Sequence, residues 1–208
     1  MPGILSAIDE MDGDVRGLSF FAEELVGCVL DHVEFEDCTF ESCSFSELQA
    51  QRLSFDRCTF DGCDFSNARL AKSYWRDCTL RESRLVGCDL HQSYWVRNTL
   101  KECACAYVNF AESKLEQMSF RACDLREASL SQLKLKRLTL ESCDLTRAEV
   151  FGTRLRGIDL STCTIAGLRV SNTFMELRDA KIGIDQASDL VSLLGVPWTS
   201  SPPRASTP

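Results

Sequence analysis

From Phe20 to Val170 every fifth residue is apolar, and the register never slips. The series opens Phe20, Leu25, Leu30, Phe35, Phe40, Phe45 and runs through Trp75 and Trp95 to Ile165 and Val170. A second column stands two residues earlier, at Leu18, Cys28, Val33, Cys38, Cys43, Leu48, Leu53, Cys58 and Cys63, and it is almost entirely small or aliphatic. An internal repeat of this kind constrains a chain before any other feature does. An α-helix turns once in roughly 3.6 residues and cannot hold a period of five on one face. A plain strand, with its period of two, also fails.

A backbone that turns a corner every five residues satisfies the pattern. Four corners close a square of twenty residues, with two residues of each pentapeptide pointing in and three pointing out. Residues 16–170 hold nearly eight such squares. Stacked, they predict an all-β fold, a right-handed quadrilateral parallel β-helix of about eight coils. Glycine supports the corners: Gly17, Gly27, Gly62, Gly87, Gly152, Gly157 and Gly167 all stand two residues after an apolar centre, where a tight turn uses positive φ. No proline occurs between Pro2 and Pro197, as expected if every N–H is wanted by a neighbouring rung. The twenty-residue coil is also visible directly, since AKSYWRDCTL at 71–80 returns as HQSYWVRNTL at 91–100. That offset places Trp75 over Trp95 inside and Tyr74 over Tyr94 outside.

Twelve cysteines would suit a disulfide scaffold or a zinc site, but eleven of them fall in one repeat column and Cys105 in the other. Spacings of five and its multiples are not those of paired zinc thiolates, and only His32 and His91 are present as histidines. Cysteine is read as a small buried hydrophobe in a reducing compartment. No apolar run reaches the ~20 residues of a membrane span, and no basic segment followed by an apolar core opens the chain. A soluble, cytoplasmic protein is expected, with no cofactor and no metal.

Outside the array, residues 1–17 are expected to cap its open end: Ile4, Leu5, Ile8 and Met11 have helical spacing and Ser6 is a candidate N-cap. Residues 171–196 break the repeat. Within them IDQASDLVSLLGV predicts a short helix with Asp185 as N-cap, an apolar stripe at Leu190, Leu193 and Leu194, and a stop at Gly195. Residues 197–208, rich in Pro, Ser and Thr, predict a disordered tail.

The columns resemble the pentapeptide repeat, A-(D/N)-L-x-x in its common form; CDFSN at 63–67, CDLRE at 123–127, CDLTR at 143–147 and IDLST at 158–162 are close copies. The ending ID-QAS-DLVSLLGV resembles that of the Qnr and MfpA kind of pentapeptide-repeat protein. This resemblance implies a homodimer joined through the C-terminus, with Phe174, Met175, Leu177, Leu190, Leu193, Leu194 and Val196 as candidate interface residues. It also implies binding to DNA gyrase or topoisomerase IV by a rod that mimics duplex DNA and protects the enzyme from poisons. The unbroken register leaves no room for the loops that many Qnr proteins carry, so the likeness is nearer to MfpA or to self-immunity proteins.

Charge partly agrees. The chain is net −8, but residues 1–70 hold 15 acids and 4 bases, while the remaining residues hold 16 acids and 19 bases. An acidic surface suits a partner built for DNA and disfavours direct nucleic-acid binding. Outer columns change sign along the rod: Glu36 and Asp56 precede Arg76, and Glu41 and Asp61 precede Arg81. Glu34, Glu36, Asp37, Glu41, Asp56, Asp61, Arg76 and Arg81 are therefore the candidate topoisomerase-binding residues, with like charges on successive rungs expected to repel. No phosphate loop is present. Neither histidine stands in a nucleophile motif, so no enzyme is expected. The competing reading is an adaptor solenoid for a different protein partner.

Overall fold

The structure, a computed structural model, describes residues 3–193. The chain winds as a right-handed parallel β-solenoid of square section, the hand expected of parallel strands joined by a crossover. On the first face three-residue strands at Asp14–Arg16, Glu34–Glu36, Ser54–Asp56, Tyr74–Arg76 and Tyr94–Val96 stack in parallel. The second face stacks Ser19–Phe21, Thr39–Glu41, Thr59–Asp61, Thr79–Arg81 and Thr99–Lys101. Strands Lys114–Arg121 and Lys134–Glu141 run across the corner and serve both faces. The third face is a series of single bridges through eight levels, from Glu24 and Ser44 to Asp144 and Thr164. The fourth pairs Val29–Asp31 with Gln49–Gln51 and continues as bridges to Arg169. The register is twenty residues from the first coil to the bridge of Glu149 with Arg169, as in Phe35 opposite Phe55 and Trp75 opposite Trp95.

Corners explain the period. Every fifth residue from Asp12 to Gly157 has positive φ, and most of these are not glycine. Their N–H groups reach the next coil: Asp37 donates to the Asp56 carbonyl at 2.9 Å and Arg97 to that of Glu116 at 2.8 Å. Left-handed backbone costs an ordinary residue about 1–2 kcal/mol, most for β-branched side chains. None of the non-glycine residues in this series is β-branched. Thr162 takes the corresponding place one turn later, where φ is no longer positive.

Inside, identical side chains stack along the axis. Phe40 and Phe60 lie 4.9 Å apart at 5°, Phe45 and Phe65 4.6 Å apart at 5°, and Trp75 and Trp95 4.5 Å apart at 5°. The corner column is more than filler. Eight of the cysteine thiols donate weakly to a carbonyl in the coil below, among them Cys58 to Phe35 at 3.3 Å and Cys78 to Phe55 at 3.4 Å. Where tryptophan enters the core, this column switches to serine: Trp75 and Trp95 each donate Nε1–H to the hydroxyl of Ser73 and Ser93 at 2.8 Å. Asn98 replaces cysteine over Trp75, donating from Nδ2 to the Trp75 carbonyl at 3.0 Å and accepting from the Cys78 N–H. The indole N–H groups and the Asn98 amide are thereby paired.

Both ends are closed. At the N-terminus helix α1 (Ile4–Glu10) buries Ile4 and Ala7 over the first coil. Gly3 is its N-cap, not Ser6, whose hydroxyl donates to Glu10. Leu5 points to solvent, because helical geometry leaves that position opposite the buried pair. At the other end residues 171–183 still pair with the last coil, but the register lengthens: Leu155 donates to the Glu176 carbonyl and Leu160 to that of Lys181. The N–H of Gly152 thereby loses its backbone acceptor, and the buried carboxylate of Glu176 takes its place at 2.9 Å, held also by the Ser171 hydroxyl at 2.8 Å. Burial pushes the Glu176 carboxyl up, but these donors prevail and its pKa is lowered. A 3-10 turn at Ile184–Gln186 leads into helix α2 (Ala187–Leu193). Asp185 sits within that turn and does not cap α2; the capping contact is from the Gly183 N–H to Gln186 Oε1 at 2.8 Å. The expected helix stop at Gly195 and the expected tail at 197–208 lie outside the described residues.

Substituting Ala122, at φ 49°, by valine is expected to cost about 1–3 kcal/mol, whereas Ala122→Gly should be neutral or stabilising. Urea unfolding of the two variants checks this, and equal stabilities would contradict strained corners.

Candidate partner-binding faces

The acidic residues near the N-terminus divide between two adjoining faces. Glu34, Glu36 and Asp56 stand on the first face and Asp37 on the corner beside them. Glu41, Asp61 and Arg81 form one column of the second face, directly opposite one another on successive rungs.

On the first face the expected repulsion does not arise. The side chain of Arg57 sits between the coils and reaches Asp37 at 2.7 Å, Asp56 at 2.9 Å and Glu36. Arg16 adds a contact to Glu36 at 3.1 Å, and Arg76 is bidentate on Asp56. One rung higher Arg97 holds Asp77 at 2.6 Å. The Glu36–Asp56–Arg76 column is thus an ion-pair ladder, in which each guanidinium fork spans the gap between rungs. Hydrogen bonding to Arg57 holds the Asp37 carboxyl below the usual carboxylate range, and hydrogen bonding to Arg76 does the same for Asp56. Arg57 and Arg16 were not among the sequence candidates. The signal that finds Arg57 is the coil length: it lies twenty residues after Asp37 and next to Asp56.

The second face differs. Among the described residues, no cation lies within 4 Å of Glu41 or Asp61, nor of Glu34 on the first face, so of the acidic candidates these three are left uncompensated. Phe21, 68% exposed, heads the Glu41–Asp61 column. The column therefore combines an apolar tip with two open carboxylates.

Among the C-terminal candidates, Met175 is exposed, while Phe174 and Leu193 are half-buried. Leu177 and Leu190 pack on the core and fasten the terminal segment to the last coil. Gln186 is the strongest fastening. It is buried, and its Nε2 donates to the carbonyls of Leu160, at 2.8 Å, and Cys163. This gives the Gln-Ala pair before the leucine helix a physical role: it ties off carbonyls that no further coil will meet. Leu194 and Val196 lie outside the described residues.

The described residues contain no group of three or more His, Cys, Asp or Glu side chains placed to hold a metal ion. Burial pushes the Cys105 thiol well up, which removes it as a nucleophile. His91 pairs with Asp89 at 2.8 Å, and Asp89 also accepts from Asn109. No described helix is long and apolar enough to cross a membrane.

A rigid square solenoid with charge-patterned outer faces defines a class of binding scaffold. The chain belongs to the pentapeptide-repeat family: the family model "Pentapeptide repeat region" matches residues 28–103, and "Pentapeptide repeats (8 copies)" matches 103–141 and 123–161. No curated protein matches the chain in sequence. Among solved structures, full-length QnrB1, a plasmid-mediated fluoroquinolone resistance protein, is 20% identical, with 88% of this chain and 100% of that one covered at a TM-score of 0.32. HetL, involved in heterocyst differentiation regulation in Nostoc sp. strain PCC 7120, is 15% identical over 87% of this chain and 95% of its own, at 0.37.

The ion-pair ladder has a pH signature. A carboxylate whose pKa falls on folding adds stability that is complete above the unfolded value, about pH 4, and lost as pH drops through the folded value. The melting temperature should hold steady from neutral pH to about pH 5 and decline below about pH 4. The Asp56→Asn variant should decline less, because the unpaired state is already present. Thermal melts by circular dichroism across that range check this, and a wild-type melting point that rises on acidification would refute it.

Proposed function

We propose that this protein is a dimeric, cytoplasmic binder of DNA gyrase or topoisomerase IV that shields the enzyme from poisons, as a resistance or self-immunity factor. The observation that carries the reading is the C-terminal ID-QAS-DLVSLLGV segment, which resembles the ending of the Qnr and MfpA kind of pentapeptide-repeat protein. The buried position of Gln186 against Leu160 and Cys163 gives that motif a reason to be there. Charge supports the same reading. With the C-termini joined, the Glu41–Asp61 columns lie toward the two far ends of a long rod, where uncompensated carboxylates face a surface that ordinarily receives phosphate. Glu36, Asp37 and Asp56 contribute less to that field, since Arg16, Arg57 and Arg76 neutralise them. Mimicry is thereby concentrated on Glu34, Glu41 and Asp61, with Arg76 and Arg81 marking its inner limit.

The deciding experiment is gyrase supercoiling in the presence of a poison, with and without the protein. Rescue is expected for at least one poison among fluoroquinolones and natural products, and failure across both groups removes the proposal. Glu41→Lys combined with Asp61→Lys should weaken rescue about tenfold or more while leaving the circular dichroism melt unchanged.

The dimer has a separate check. Leu193→Asp, at a half-buried position of α2, is expected to halve the mass in light scattering. An unchanged mass would refute an interface built on this helix.

A further inference from the structure

We infer that the C-terminal half of the first face is a docking surface for an acidic segment of a protein partner. Lys114 and Lys134 stand directly opposite each other on adjacent rungs, and Arg154 occupies the same column twenty residues on. Rungs are about 4.8 Å apart, so the two lysines form an exposed ladder, which Arg154 extends by its place in the repeat. Lys136 and Arg156 run beside it in the next outward column, with Arg137 on the corner. Acids are few here. Glu116 is engaged by Lys136, and Asp179 lies 3.5 Å from Arg156. Among the described residues, no carboxylate lies within 4 Å of Lys114, Lys134, Arg137 or Arg154. Lys114 instead leans over the Tyr94 ring at 5.7 Å.

The N-terminal half of the same face shows how this fold treats stacked like charges when it neutralises them itself. There Arg57 reaches three carboxylates across the rungs. Nothing equivalent threads the Lys114–Lys134–Arg154 ladder, so its mutual repulsion is left for an external anion to relieve. Beside Arg154 a depression of about 300 Å³ opens between Arg156, Arg178 and Asp179, with room for an acidic side chain to reach the two guanidinium groups.

The remainder of the rod selects the class of anion. The whole chain is net −8 despite this face, so a long polyphosphate that runs on past the ladder meets like charge. A short acidic segment touches the basic half alone. This surface does not depend on the topoisomerase reading, since the ladder exists whatever enzyme or adaptor the acidic end contacts.

The test is fluorescence anisotropy of the full chain with a fluorescein-labelled hexaglutamate peptide, with a short DNA duplex as a competing probe. Peptide binding is expected at low salt, weakening as salt rises. It should fall about tenfold or more in Lys134→Gln combined with Arg154→Gln, and further in Lys134→Glu, with unchanged circular dichroism melts. Three results overturn the inference: no peptide binding at low salt, binding that the variants do not alter, or tighter binding of the duplex than of the peptide at physiological salt through the same residues. The last would assign the ladder to nucleic acid.

Discussion

Everything in this molecule depends on one hydrogen bond made again and again. At most corners a residue held at positive φ aims its N–H at a carbonyl in the next coil, as Asp37 does to Asp56 and Arg97 to Glu116. That bond sets the five-residue side, and four sides set the twenty-residue coil. It also explains a cost borne at nearly every corner, because most of these residues carry a Cβ that the left-handed region disfavours. The fold tolerates the strain because each corner is held from outside by the rung contact and from inside by two packed side chains. β-branched corners would loosen both.

The interior adds a second constraint, the pairing of donors with acceptors. Cysteine in the corner column is small enough for the square to close, and its thiol faces a carbonyl of the preceding coil. Serine appears where an indole needs an acceptor, at Ser73 and Ser93, and asparagine where one side chain must both donate and accept, at Asn98. These exceptions to the apolar column preserve the rule that buried polar groups are bonded. The ends obey it too, since Glu176 and Gln186 supply partners for backbone groups that no further coil will meet.

The outer faces answer to neither constraint, which leaves them available for recognition. Their charges are arranged in two ways on one scaffold. In the first coils arginines interleave with carboxylates and cancel them, leaving Glu34, Glu41 and Asp61 open. In the later coils cations stack on cations. Net charge alone conceals this, because it averages a neutralised ladder, an open acidic column and a basic one.

The period of five, read along the chain, was enough to establish the square β-helix, its inward columns, the stacking of Trp75 on Trp95 and the burial of nearly every cysteine. Those features follow from spacing, and spacing survives without coordinates because the repeat has no insertions. The pairing of Ser73 with Trp75 was also present in the letters, two residues apart, but it becomes legible only once both are known to face inward. What the three-dimensional arrangement alone decided is which charges meet. Glu36, Asp56 and Arg57 look like a repelling column with a stray base until the coil brings Arg57 between rungs. The caps were likewise beyond sequence reasoning. Ser6 and Asp185 have the right chemistry for N-caps, yet Gly3 and the Gly183–Gln186 contact take those roles. A cap is chosen by how the chain enters the helix from the packed end of the solenoid, and that path is a property of tertiary contacts, whereas the repeat is a property of the backbone's own geometry.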